Sequence, residues 1–153
     1  MLFRSLIADG KHLPEELLRL AVKIKGYDKV ILVTDAINMA GTDATEGRLG
    51  SKKAGLPCII EDGVAKTPDR QSFAGSVATT DRLVRTMVTL AEVPLREAVR
   101  MMTQTPAAIM GFHTKGLLTE GCDADIVLFN EAIDVSAVIV GGNLRVNHLG
   151  WLQ

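Results

Sequence analysis

The run "VILVT", Val30 to Thr34, constrains the fold most. Five consecutive aliphatic or β-branched residues without polar alternation fit a strand covered on both faces, as in a parallel sheet. The run stops abruptly at Asp35, and "AINMAG" follows it. Upstream, "FRSLI" reads as a short apolar strand that breaks at Asp9-Gly10. Between the two lies a helical pattern. Pro14 suits a first helical turn, where its missing N–H costs nothing, and Glu15 and Glu16 complement the helix dipole there. Leu17, Leu20, Ala21 and Ile24 recur at helical spacing as one apolar face, and Lys23, Lys25 and Gly26 mark the end. Strand, helix, strand in this order is one βαβ unit, with a right-handed crossover by default.

The rest of the chain reads in the same way. "TDATEGRLGSKKAG" is polar and glycine-rich, so it is expected to be a loop. Residues 56–66 should form a hairpin about Asp62-Gly63. Leu83, Val84, Met87, Val88 and Ala91 give a helix, with Ser76 or Thr80 as its cap. Two short helices follow, opened by Pro94 and Pro106, the second closed by Gly111. From Gly116 the pattern is strands: "DADIVLFN", then a hairpin about Gly141-Gly142-Asn143.

Bulk properties narrow the function. Net charge is −1, with 17 Lys+Arg against 18 Asp+Glu and no basic cluster, which speaks against nucleic acid as a partner. No apolar run approaches the roughly 20 residues of a membrane helix, so no membrane partner is expected. Cys58 and Cys122 lie far apart and read as free thiols in a reducing cytoplasm. The three histidines, His12, His113 and His148, form neither HxH nor HExxH, so no metal site of the usual kind is expected within the chain. In parallel α/β folds ligands bind beyond the C-terminal strand ends. Asp9-Gly10-Lys11-His12 and Asp35 both fall there, on neighbouring strands. An Asp before a turn is also a common cap, and "SFAGS" is a small-residue loop ahead of a helix.

Taken together, "ADGKHLPEELLRLAVKIKG", "VILVTDAINMAG", "FAGSVATTDRLVRTMV", "LREAVRMMTQTPAAIMG" and "KGLLTEGCDADIVLFN…VIVGGNLRV" resemble the N-acetylglucosamine-6-phosphate deacetylase family of the amidohydrolase superfamily, in order and spacing. The resemblance implies an α/β protein: the last two strands and helices of a (β/α)8 barrel over residues 1–113, and the C-terminal strands of a small β-sandwich over 114–153. It implies hydrolysis of the acetamide of N-acetylglucosamine 6-phosphate to glucosamine 6-phosphate and acetate. Asp35 matches the family's catalytic aspartate. Asp9, Gly10, Lys11 and His12 match one substrate loop, and Phe73, Ala74, Gly75 and Ser76 a second, where relatives more often carry Leu in place of Phe73. The family's divalent metal, zinc or iron, is held by a glutamate and two histidines that have no counterpart here. The chain is therefore expected to be the C-terminal portion of such an enzyme, binding no metal and inactive alone. It is expected to self-associate as a homo-oligomer and to meet a sugar phosphate. The alternatives are a non-catalytic sugar-phosphate-binding or assembly module, or a fragment of another amidohydrolase.

Overall fold

A computed structural model describes residues 3–51 and 53–150. β1 (Arg4–Leu6) and β2 (Val30–Leu32) pair in parallel, with Arg4 opposite Val30 and Leu6 opposite Leu32. Helix α1 (Glu15–Lys25) connects them as the βαβ pattern requires. A 3-10 turn, Tyr27–Lys29, leads from α1 into β2. Pro14 sits one place before the helix, where its carbonyl accepts the N–H groups of Leu17 and Leu18.

Two expectations about this unit are corrected. β2 is shorter than Val30–Thr34 and is covered on one face only: Val30 and Leu32 are buried, while Ile31 and Val33 are half-exposed. A strand is buried on both faces only when layers exist on both sides, and here one layer is present. Helix α1 likewise seats Leu18 and Val22 on the core, while Leu17, Leu20 and Ile24 face outward. The apolar stripe read from the sequence is therefore an uncovered face, not the core face.

β3 (Glu46–Leu49), β4 (Leu56–Glu61) and β5 (Val64–Lys66) form an antiparallel three-stranded sheet. The hairpin about Asp62-Gly63 is present, and both turn residues have positive φ. The segment expected to be a loop supplies β3. "EGRL" has little strand propensity; its pairing with β4 makes it a strand, and Arg48 tightens the connection by donating to the carbonyl of Gly55 at 2.7 Å.

α2 (Thr80–Thr89), α3 (Leu95–Met102) and α4 (Gln104–Met110) follow. Thr79 occupies the cap position of α2, in place of Ser76 or Thr80, with no side-chain capping bond. Pro106 lies inside the first turn of α4, where the backbone N–H groups lack helical partners anyway. β6 (Ile126–Phe129), β7 (Val135–Val140) and β8 (Asn143–Asn147) make a second antiparallel sheet. Leu83, Met87, Ala98 and Met101 from α2 and α3 pack on Val30 and Leu32 in the main core, which also takes Ile133 from the β6–β7 connection. Arg85 locks that connection to α2 by donating to the carbonyls of Ala132 and Ile133 and to Asp134. A second cluster, Ile37, Met39, Cys58 and Ala65, joins the β3–β5 sheet to the segment after β2. Cys58 is buried and Cys122 half-buried, both as free thiols. Among the described residues no helix is long and apolar enough to cross a membrane.

Candidate functional site

The parallel register fixes the site. Leu6 stands opposite Leu32, so Asp9 and Asp35 each lie three residues beyond a paired position, at the same end of the two strands. The N–H of Val33 donates to the carbonyl of Leu6 at 3.0 Å and carries the pairing past β2. Asp35 then turns the chain with a φ of 49°, a left-handed conformation that Asp tolerates better than most residues. Its side chain is exposed and has no hydrogen-bond or ion-pair partner among the described residues.

The 73–76 loop closes the arrangement. The Ser76 N–H donates to the Asp35 carbonyl at 3.0 Å, and the Ile37 N–H donates to the Ser76 carbonyl at 2.9 Å, so the loop runs parallel beside the end of β2. The Ala74 N–H donates to Ala65 at 2.8 Å, and Phe73 bridges to Lys66, tying the loop to β5. Gly75 has a φ of +96°, and a Cβ there would stand 2.6 Å from Cγ2 of Ile37. On the other side the Phe73 ring meets the His12 ring, with centroids 4.9 Å apart at a 60° tilt. An open cleft of about 490 Å³ is lined by Asp35, Asn38, Leu49, Phe73 and Gly75 among others. The three segments singled out from the sequence thus meet at one place.

Their side chains do different things. Asp9 is 1% exposed. Its Oδ1 accepts the backbone N–H groups of Lys11 and His12, each at 2.9 Å, and its Oδ2 lies 2.9 Å from His12 Nδ1. Burial pushes the Asp9 carboxyl up, but the two backbone N–H groups and the His12 ring outweigh it and hold the group below its ordinary 3.8. A carboxyl depressed by folding adds stability above its unfolded pKa and loses it as pH falls through the folded value. The stability difference between the native chain and Asp9→Asn is therefore expected to be full above about pH 5 and to shrink below about pH 4. Urea titrations at a series of pH values read this directly; a difference independent of pH contradicts it.

The Lys11 side chain is exposed and makes no hydrogen bond or ion pair among the described residues, although its charge adds to the larger effect of Lys66 in depressing the Asp62 carboxyl. Ser76 is fully buried, with its Oγ accepting the N–H of Ala78 at 2.9 Å, so the hydroxyl serves the loop itself. His113 and His148 are exposed, in the segments after α4 and after β8. Among the described residues no group of three or more His, Cys, Asp or Glu gathers in a way that could hold a metal ion.

Arg82 escaped the sequence reading. From the first turns of α2 its Nε donates to the Asp9 carbonyl at 3.0 Å and its Nη1 to the Gly63 carbonyl at 2.8 Å. One guanidinium thereby holds the loop after β1 and the β4–β5 turn together. No local pattern signals this, because both partners are backbone atoms remote in sequence. Arg82→Met is expected to cost about 1–3 kcal/mol through the two lost charged hydrogen bonds. It should also speed amide exchange at Lys11 and His12; unchanged exchange there contradicts the clamp.

Comparison with known proteins identifies the family of the chain. The pattern described as the amidohydrolase family matches residues 4–145. The N-acetylglucosamine-6-phosphate deacetylase of Lysinibacillus sphaericus is 36% identical over 142 residues, 93% of this chain and 35% of that protein. The N-acetylgalactosamine-6-phosphate deacetylase of Shewanella sp. (strain ANA-3) is 32% identical over 140 residues, 92% of this chain and 34% of that protein. The crystal structure of N-acetylglucosamine-6-phosphate deacetylase from Pasteurella multocida superposes with a TM-score of 0.86 at 29% identity, covering 95% of this chain and 37% of that one. The chain thus spans about a third of the length of these relatives. Its mixed α/β fold resembles that portion of the deacetylase structure, and the chain belongs to the amidohydrolase family.

Proposed function

We propose that this chain forms the catalytic-aspartate end of an enzyme that deacetylates N-acetylglucosamine 6-phosphate, giving glucosamine 6-phosphate and acetate. The observation that supports this most is the meeting of Asp35, His12 and Phe73 through the 73–76 loop at the C-terminal ends of β1 and β2. On this reading β1 and β2 are the last two strands of a (β/α)8 barrel covering residues 1–113, and β6–β8 belong to a small β-sandwich over 114–153. Asp35 carries the proton: it takes one from the attacking water as the C–O bond forms, then delivers it to the nitrogen as the C–N bond breaks. The 9–12 and 73–76 loops flank the sugar phosphate.

Amidohydrolases are in general metal-dependent, whereas the described residues form no metal site. The proposal assigns the zinc or iron of such an enzyme to the part of the relatives that this chain does not cover, and with it the expectation that the chain is inactive alone.

A chimera in which this chain replaces the matched third of the Lysinibacillus sphaericus enzyme tests the reading. Release of acetate from N-acetylglucosamine 6-phosphate by the chimera, and none by the isolated chain with added zinc or iron, is the expected result. A well-folded chimera without turnover overturns the reading, as does turnover by the isolated chain for the claim of inactivity. Parallel assay of the galacto epimer decides the sugar, given the Shewanella relative's name.

The uncovered residues Leu17, Leu20 and Ile24 on α1, at 48%, 47% and 67% exposure, support a homo-oligomer. Light scattering at micromolar concentration is expected to give more than the monomer mass of 16.4 kDa; the monomer mass contradicts self-association.

A further inference from the structure

The Asp9–His12 pair carries more chemistry than a loop needs. A loop of this length is already closed by the Oδ1 bonds to the N–H groups of Lys11 and His12. The second oxygen is spent on the ring, with Oδ2 2.9 Å from His12 Nδ1 and the Asp9 side chain fully buried. An ionised carboxylate only accepts hydrogen bonds, so the nitrogen facing it must donate. In a neutral imidazole that leaves the other nitrogen as an acceptor. His12 Nε2 has no partner among the described residues, and the His12 side chain keeps 17% of its surface exposed. The Phe73 ring lies against the imidazole and limits its rotation, and Phe73 also lines the cleft that holds Asp35.

We infer that Asp9 is a positioning residue that sets the tautomer of His12, so that His12 presents Nε2 as a hydrogen-bond acceptor to a hydroxyl group of the sugar phosphate. Asp9 itself does not touch the ligand. The assignment of the ligand rests on the proposed function, whereas the tautomer stands on the geometry of this chain alone. A neutral acceptor selects a hydroxyl donor and does not attract a phosphate, which offers only acceptors near neutral pH. The anionic part of the ligand must therefore lie elsewhere.

Asp9→Asn makes the sharpest test, because it keeps the shape and reverses one role. The amide oxygen retains the two backbone N–H groups, and the NH2 group takes the place of Oδ2, where it donates to Nδ1. The proton is then driven to Nε2, and the acceptor is lost.

The experiment uses the intact chain labelled with 15N at histidine, read by two-bond 1H–15N correlation at about pH 8, above the ordinary histidine range. His12 is expected to show a protonated Nδ1 and a bare Nε2, and D9N to show the reverse. A wild-type His12 with its proton on Nε2 overturns the inference, with no need for the variant to fold. Titration with N-acetylglucosamine 6-phosphate is expected to move the Nε2 signal, while inorganic phosphate at the same concentration does not. D9N should weaken that binding by about tenfold, the value of one hydrogen bond with its unpaired partner. The expected tautomer with a response to phosphate alone, or to neither ligand, overturns the hydroxyl assignment and leaves the positioning role of Asp9 supported, while acetate release by the chimera decides the proposed substrate separately.

Discussion

In the chimera with the Lysinibacillus sphaericus enzyme, Asp35→Asn is expected to lower kcat by about 10²–10⁴-fold, the range general acid–base catalysis contributes. KM should change little. The prediction follows from what the Asp35 side chain lacks: exposed, with no hydrogen-bond or ion-pair partner among the described residues, it is free to take and return a proton. Asparagine keeps the shape and loses only that capacity. It also tolerates the left-handed φ of 49° at this turn, so the fold and its Tm should be unaffected. Steady-state kinetics with a thermal melt on the same sample make the check. A kcat within a few-fold of the parent means that Asp35 is a turn residue after all.

Gly75→Ala is expected to destabilise the chain by about 2–5 kcal/mol, combining a left-handed backbone penalty with overpacking. The position has a φ of +96°, and the new methyl would stand 2.6 Å from Cγ2 of Ile37. Ile37 cannot swing aside cheaply: it is β-branched, 9% exposed, and packed with Met39, Cys58 and Ala65. The damage should also be local. Pushing the 73–76 loop away stretches the Ser76–Asp35 and Ile37–Ser76 backbone bonds, and it withdraws Phe73 from His12. Urea unfolding gives the free energy, and loss of the ring-current shift on the His12 protons reports the loop. A variant with native stability and an unshifted His12 signal contradicts the account.

The two loops and Asp35 are legible in the sequence because their signals are local. An apolar run ended by Asp, an Asp-Gly break after a strand and a small-residue loop ahead of a helix each lie within a dozen residues. The turns at Asp62-Gly63 and Gly141-Gly142 are legible for the same reason, since positive φ at both central residues selects such pairs. β3 is not legible. Its residues, Glu46–Leu49, have poor strand propensity, and only the partner strand Leu56–Glu61 makes them a strand. The face of α1 misleads for a related reason: periodicity finds the apolar stripe of Leu17, Leu20 and Ile24 but carries no information about what covers it.

The sequence by itself determined the βαβ order, the shared strand-end position of Asp9 and Asp35, and the membership that the matched pattern makes plain. These depend on residue types at short separations, where propensity, turn chemistry and chain direction act directly. Only the tertiary structure decided that Asp9 turns inward onto His12 while Asp35 stays free, and that Arg82 ties two remote carbonyls together. Both outcomes rest on which side chain reaches which backbone atom once α2 and the 73–76 loop have docked. Residues 73 apart in the chain, such as Arg82 and Asp9, become neighbours through packing alone.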